Sequence, residues 1–440
     1  MALISAAVAL AAGLALSAAM VGRPGLRPTA ATVSLVAVAL VVVGGFTAAS
    51  VSTPMLLRWA AKRSQSRPGA RLFLANLAGN GSRVGGVSLG VAFTVALSVV
   101  LGGLAPAMAT TVRDNASQLV GAGFAVNTVP FNDATMIDSK IGSDLLERIR
   151  TTVAPGTVSR EAFILTRTRG LDIAVVASDT PGNRTTVIDG ASVPEAISDG
   201  VAIGAPLART LKLAVGDDLE IDTPSGPLTL PIRAVVEYLD NAGLIAIVNM
   251  ASVDANWGYQ APDPLIVTPT PDQSVSAMRD QVLALDPRIR VADAASLAAD
   301  SVASINEYLD PFSVLSRMLF IVVGAAATIS VGLVAIQRRQ EFATLVASGV
   351  STAVLGAITT AEAAVLAGLG AFQGAAVGLL LAGPMRNATS FVVGVRPPPV
   401  LPLLPALVAG VAAFTIATAG AIPPAVRLRR IELIDALSGD

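Results

Sequence analysis

The sequence predicts an α-helical multi-span membrane protein with six spans and an inserted extracytoplasmic mixed α/β domain. Three observations carry that expectation. The 440 residues are 53% hydrophobic and only 14% charged, with a mean hydropathy of +0.68, where a soluble domain carries about 25% charged residues. The formal net charge of -1 hides an asymmetry: residues 109–310 hold 26 acids and 14 bases, a net of -12, while the remainder holds 5 acids and 16 bases. Uncharged stretches of spanning length flank the acidic block, so a water-exposed domain is inserted between membrane segments.

Residues 1–22, 28–57, 84–112, 318–337 and 397–426 contain no charge, and each meets the roughly 18–20 residues a spanning helix needs. The sixth span is placed at 352–383, interrupted only by Glu362. The first stretch has no Lys or Arg ahead of its apolar run, so it reads as a span rather than a secretory signal. Its uncharged start suits one portion of a longer or split membrane protein.

Lys and Arg in short connections set the orientation. Arg58, Lys62, Arg63, Arg67, Arg71, Arg83, Arg338, Arg339, Arg427, Arg429 and Arg430 lie on one side, against Arg23, Arg27, Arg386 and Arg396 on the other. On this reading the larger set faces the cytoplasm, which puts both termini inside, the acidic block outside and the chain in the cell membrane. The organisation is then two leading spans (1–57), a cytoplasmic linker with an amphipathic entry helix (58–83), a third span (84–112) and the extracytoplasmic domain (113–310). A fourth span (311–337), a short cytoplasmic helix (338–351), the fifth and sixth spans (352–426) and a cytoplasmic tail (427–440) follow.

Within 113–310 the pattern is mixed. Residues 143–152 and 275–285 read as helices, the second begun by a turn at Pro271 and Asp272. Strand-like runs are 162–165, 173–176, 219–221, 228–236 and 244–248, with turn signals at 179–182 (DTPG) and 223–226 (TPSG). Apolar Leu297, Val302, Ile305, Leu309 and Phe312 predict a helix that continues from this domain into the fourth span and transmits movement mechanically. Asp217, Asp218 and Glu220 lack EF-hand spacing and read as a solvated turn before a strand. The glycosylation-like triplets at Asn115 and Asn387 are too frequent by chance to carry a function.

Zero Cys and zero His exclude disulfides, Cys/His metal sites, catalytic thiols and every imidazole-dependent triad. Lys occurs only at Lys62, Lys140 and Lys212 and no Walker-A pattern exists, so nucleotide energy would have to enter through another subunit. No enzyme activity, catalytic residue, cofactor, metal or nucleic-acid partner is expected.

The most informative stretch is 338–349, RRQEFATLVASG. Phe342, Leu345 and Val346 share one helical face, the charges cluster at its start, and Gly349 is a natural stop. Such a helix between two spans offers a face to a partner; the alternative is a helix resting on lipid headgroups. Further along, Gly370, Gly374 and Gly378 form a ladder on one helix face that permits close approach of a neighbouring span. Glu362 lies in an apolar run, where a central charge costs about 2.5–3.5 kcal/mol, and its role is open between structure and function.

These residues resemble the FtsX-like permease family, the membrane subunits of MacB-type and LolC-type ABC transporters. Its pattern is matched by Arg338, Arg339, Glu341, Phe342, Leu345, Ala347, Gly349, Glu362, Gly370 and Gly374. Residues 70–77 (ARLFLANL) are similar to the family's cytoplasmic entry helix, 206–217 (PLARTLKLAVGD) to a helix-to-strand passage of its external domain, and 425–437 (AVRLRRIELIDAL) to its basic tail. The family often has basic residues just after the glycine, and 351–358 has none. Three spans ahead of the external domain, instead of one, match the second half of ten-span members, so the chain looks like a half-permease, separately encoded or detached from its first half.

The resemblance implies an ATPase dimer on the cytoplasmic face, coupled through Arg338, Arg339, Glu341, Phe342, Leu345 and Gly349. It also implies helix packing at Glu362, Gly370, Gly374 and Gly378, and a second permease half, identical or related. The implied function is export or extraction of a hydrophobic substrate: lipid, lipoprotein, peptide or drug. The alternative is mechanotransmission, in which the outer domain regulates an extracytoplasmic envelope enzyme without transport; an envelope protein is thus a further possible partner.

Overall fold

A computed structural model describes residues 2–21, 28–63, 73, 74, 77, 81–129, 141–179, 185–258, 264–337, 344 and 346–427. The uncharged stretches are helical because an apolar segment in lipid must satisfy its backbone internally. Helices α1 (Ala2–Val21) and α2 (Pro28–Arg63) form an antiparallel hairpin whose contacts are set by glycine. A Cβ on Gly13 would lie 2.8 Å from Val41, and one on Gly44 would lie 2.8 Å from the Leu10 nitrogen.

Helix α3 (Gly81–Val120) and, after the sheet domain, helix α9 (Ala294–Gln337) are 40 and 44 residues long. At 1.5 Å per residue they extend about 60 Å or more, twice the roughly 30 Å hydrocarbon core. They run side by side, joined by Ser98 and Ser316 hydroxyls 2.8 Å apart. Helices α10 (Thr352–Val393) and α11 (Leu403–Arg427) complete the bundle. Among the described residues five helices, α1, α2, α3, α10 and α11, are long and apolar enough to cross a membrane, and α9 carries a shorter apolar run, Val314–Ile329. The helix expected to lead from the domain into the fourth span is α9, continuous through Pro311.

The acidic block folds into one ten-stranded mixed sheet. Its strands are β1 (Phe124–Asn127), β2 (Thr157–Thr168), β3 (Leu171–Ser178), β4 (Thr186–Gly190), β5 (Val201–Gly204), β6 (Asp218–Ile221), β7 (Leu228–Glu237), β8 (Ile245–Asn249), β9 (Leu265–Thr268) and β10 (Arg290–Ala292). They lie in the order β10-β1-β9-β2-β3-β8-β5-β7-β4, with β6 also on β7. Strand β2 divides the sheet into two lobes: residues 157–160 pair with β9 and 161–168 with β3.

In the first lobe, helices α4 (Ser143–Val153) and α8 (Val275–Leu283) cover β1 and β9, enclosing Phe124, Ile149, Leu265 and Val282. Val120 at the end of α3 and Leu297 near the start of α9 join that core, so both long helices are built into this lobe. In the second lobe α6 (Ala205–Leu211) and α7 (Met250–Trp257) cover one face and α5 (Val193–Asp199) the other. Along β3, Ile173, Val175 and Ala177 face one core while Ala174 and Val176 face the other, as a period-2 strand buried on both sides requires. The second lobe also touches the bundle: the turn Asp240–Gly243 meets Gly394, the left-handed cap of α10. A Cβ on Gly394 would lie 2.5 Å from the Tyr238 carbonyl oxygen.

The five strand-like runs and both helices expected within the domain are present, with ends shifted; α8 stops at Leu283, not 285. Strands β1, β4, β5, β9 and β10 carried no expectation. The turn at 223–226 closes with the Gly226 N–H donating to the Thr223 carbonyl at 3.0 Å, whereas 180–182 of the 179–182 turn lies outside the described residues.

Helix α9 starts at a strong cap. The Asp293 Oδ1 accepts the Ser296 N–H and hydroxyl, both at 2.8 Å, and these bonds hold its carboxyl below the usual range. A carboxyl depressed in the folded state adds stability above its unfolded pKa and loses that contribution as pH falls through the folded value. Asp293→Ala should therefore cost about 1 kcal/mol at pH 7, with variant and wild type converging under acidic conditions below the carboxylate range. Denaturant unfolding followed by circular dichroism at both pH values checks this, and equal midpoints at pH 7 would refute the cap.

Candidate functional site

The stretch that precedes α10 ends in a defined junction. Ser348 and Gly349 donate their N–H groups to the carbonyls of Thr344 and Val346, each at 3.0 Å, and Gly349 adopts φ +93°, a conformation that favours glycine. Two residues later the Ser351 hydroxyl accepts the Val354 N–H at 3.4 Å and starts α10. Arg338, Arg339, Glu341, Phe342 and Leu345 lie outside the described residues. Of the expected coupling set, Gly349 alone has a described position.

Glu362 is half-buried ten residues into α10. Around it α10 is packed on two sides: Ala363 meets Ala421 of α11, while Val365, Leu366 and Leu369 meet Leu57 of α2 together with Leu74 and Leu77. Residues 73, 74 and 77 of the expected entry helix are helical, and Leu77 is 5% exposed in that seam. Nearby, a groove of about 430 Å³ lies between α10 and α11, lined by Gly356, Thr360, Ala364, Ile422 and Ala425 among others.

Gly370, Gly374 and Gly378 all face α3. A Cβ would lie 2.5 Å from the Ser88 oxygen at Gly370, 2.4 Å from the Ala92 oxygen at Gly374 and 2.7 Å from the Val99 Cβ at Gly378. No side chain fits there, so the α10 backbone rests directly on α3. Between the first two glycines in sequence is a residue the sequence reading passed over. Gln373, 7% exposed, donates from Nε2 to the Ala49 carbonyl and Ser52 hydroxyl of α2, both at 3.2 Å, and accepts the Ser88 hydroxyl of α3 at 3.2 Å. Thr53 lies 3.0 Å from the same Nε2. One amide thus ties α2, α3 and α10 together inside an apolar bundle.

Asn387 does the same for α1, its Nδ2 donating to the Ser17 carbonyl and hydroxyl at 3.0 and 3.1 Å. Thr328 of α9 donates to the Gly420 carbonyl of α11 at 2.7 Å. The available signal was composition: Gln373 and Asn387 are the two amides of α10, and a polar side chain in a span needs a partner on another helix.

Residues 313–433 match the family model described as FtsX-like permease C-terminal. The match runs from α9 through the junction at Gly349, the glycine ladder and Gln373 to just past α11. The chain carries an FtsX-like permease C-terminal domain. No curated protein sequence matches the chain. Together with the long apolar helices, the match supports a multi-pass membrane protein.

Three substitutions test the packing of the membrane helices. Gly374→Ala must push α3 and α10 apart and should destabilise by about 1–3 kcal/mol. Gly383→Ala, with no atom within 4 Å of the new Cβ, should be neutral or stabilising. Gln373→Leu should cost about 1–2 kcal/mol, at roughly 0.6 kcal/mol per interhelical hydrogen bond. Unfolding of the purified protein in mixed micelles gives all three values; a Gly374→Ala midpoint equal to that of Gly383→Ala would remove the ladder's role.

Proposed function

We propose that this chain is the permease subunit of an ABC transporter, in which a separate ATPase dimer drives export or extraction of a hydrophobic substrate such as a lipid, lipoprotein, peptide or drug. The observation that carries the reading is the permease-domain match over 313–433. The chain spans the cell membrane six times, with α9 supplying the fourth span, both termini cytoplasmic and the sheet domain outside. The distribution of Lys and Arg supports this orientation. The ATPase engages residues 338–349 through Arg338, Arg339, Glu341, Phe342 and Leu345. A second permease half, identical or related, occupies the other site of the dimer. ATP hydrolysis is the ATPase's chemistry, and this chain is not an enzyme.

Two features favour a second reading, mechanotransmission that regulates an extracytoplasmic envelope enzyme. Helix α9 is continuous from the sheet domain into the membrane, and α10 abuts the second lobe at Gly394. Movement at 338–349 could therefore reach the domain along two helices with no cargo path. Asp substitutions at Phe312 and Leu315 separate the readings, since they should abolish cargo movement and spare ATPase stimulation only under export.

Because the chain has no Cys, introduced cysteines report cleanly. Ser225→Cys, at an exposed turn, should react with an impermeant thiol reagent in intact cells while Ser64→Cys stays protected; the reverse pattern would invert the topology. Charge reversal at Arg338 and Arg339 combined with Phe342→Asp should abolish ATPase association or stimulation without affecting membrane insertion. Unchanged affinity and stimulation in that triple variant would end the coupling assignment.

A further inference from the structure

A cavity of about 170 Å³ lies where α3, α10 and residues 397–402 converge, on the sheet-domain side of the bundle. Its wall is apolar, with Leu104 and Ala107 of α3, Leu379 and Met385 of α10 and the prolines 397–399, and among the described residues Arg386 is its one charged member. Arg386 ends an uncharged stretch, Ala363–Met385, of about 35 Å of helix, which is enough to cross the hydrocarbon core. With the hydrocarbon over this uncharged stretch, the guanidinium sits where α10 leaves it, at the level of the lipid phosphates.

Among the described residues the one hydrogen-bond acceptor for Arg386 is the Pro397 carbonyl, which takes Nε. Among the described residues the two Nη groups have no acceptor. Arg396 adds a second positive charge close by, and Glu237 of β7 acts on Arg386 without forming an ion pair. Arg386 brings positive charge to the cavity, although the adjacent domain carries -12 and repels anionic headgroups elsewhere on its surface. A cation at headgroup level beside an apolar cavity matches one kind of molecule. An anionic phosphate meets the open end of the guanidinium and an acyl segment enters the cavity. A zwitterionic headgroup would bring its ammonium toward two arginines, and free phosphate would leave the apolar part empty.

We propose that Arg386 and the cavity between α3, α10 and residues 397–402 form a binding site for one anionic phospholipid of the leaflet on the sheet-domain side. The proposal holds whether the chain exports or only transmits movement.

The test uses the full chain, delipidated in detergent and titrated with phosphatidylglycerol, phosphatidylcholine or inorganic phosphate, with bound lipid counted by native mass spectrometry. Phosphatidylglycerol should bind about tenfold more tightly than phosphatidylcholine, with one copy retained per chain and no displacement by inorganic phosphate. Arg386→Gln should reduce that preference to near unity, and Arg386→Lys should keep part of it. Gly383→Phe places a ring in the open space at the cavity wall and should weaken retention with both arginines intact. Helical circular dichroism and the unfolding midpoint identify variants that fold. Equal binding of the two lipids to wild type, unchanged preference in folded Arg386→Gln, unchanged retention in folded Gly383→Phe, or displacement by inorganic phosphate would each overturn the proposal.

Discussion

Direct backbone contact between α3 and α10 is the constraint on which the membrane part of this protein depends. Lipid gives apolar helices no hydrophobic reason to associate, so close van der Waals approach and a few hydrogen bonds must hold them. The glycines at 370, 374 and 378 bring α10 onto α3 at distances where a Cβ would overlap backbone or side-chain atoms. Only at that separation does Gln373 reach α2 and α3 together. The remaining contacts repeat the device: Gly13 and Gly44 between α1 and α2, Gly102 and Gly103 between α3 and the prolines 405 and 402, and Gly420 against Gly324.

The sheet domain inherits its position from this bundle. Its first lobe shares a core with the ends of α3 and α9, and its second rests on the cap of α10 at Gly394. Asn241 and Ala242, in the turn that makes this second contact, hold left-handed backbone at φ +49° and +52°, which costs a non-glycine residue about 1–2 kcal/mol. Strand β2 links the lobes by pairing with β9 through one end and β3 through the other. A domain fastened in this way follows both long helices and α10, which is why its attachment suits transport and mechanotransmission alike.

Much of this organisation was legible in the sequence. Charge-free stretches mark the helices because hydrocarbon excludes charge, and the acidic block marks the sheet domain for the converse reason. The glycine ladder was legible from its four-residue spacing. The short strands were not: β5 and β9 are four residues each, too brief for alternation to register, and both are set by partners distant in the chain. Gln373 escaped because its importance lies in Ser52, Thr53 and Ser88, which no local pattern connects to it. Of the 338–349 stretch, the stop at Gly349 was legible because glycine tolerates the left-handed backbone found there.

The α3–α10 seam also has a translational property. Ser88, Ala92 and Ala96 repeat every four residues, as do Val91, Val95 and Val99, against glycines at the same spacing. Sliding one helix along the other by four residues, about 6 Å, would place Gly370 at Ala92 and Gly374 at Ala96, with steric contacts of the same kind. Shape alone therefore does not choose among registers of this rack. Gln373 does, because a slip would carry its amide away from Ser88 and toward the apolar Ala92, stranding polar groups in an environment with no water. One side chain thus converts a seam tolerant of sliding into one with a preferred stop.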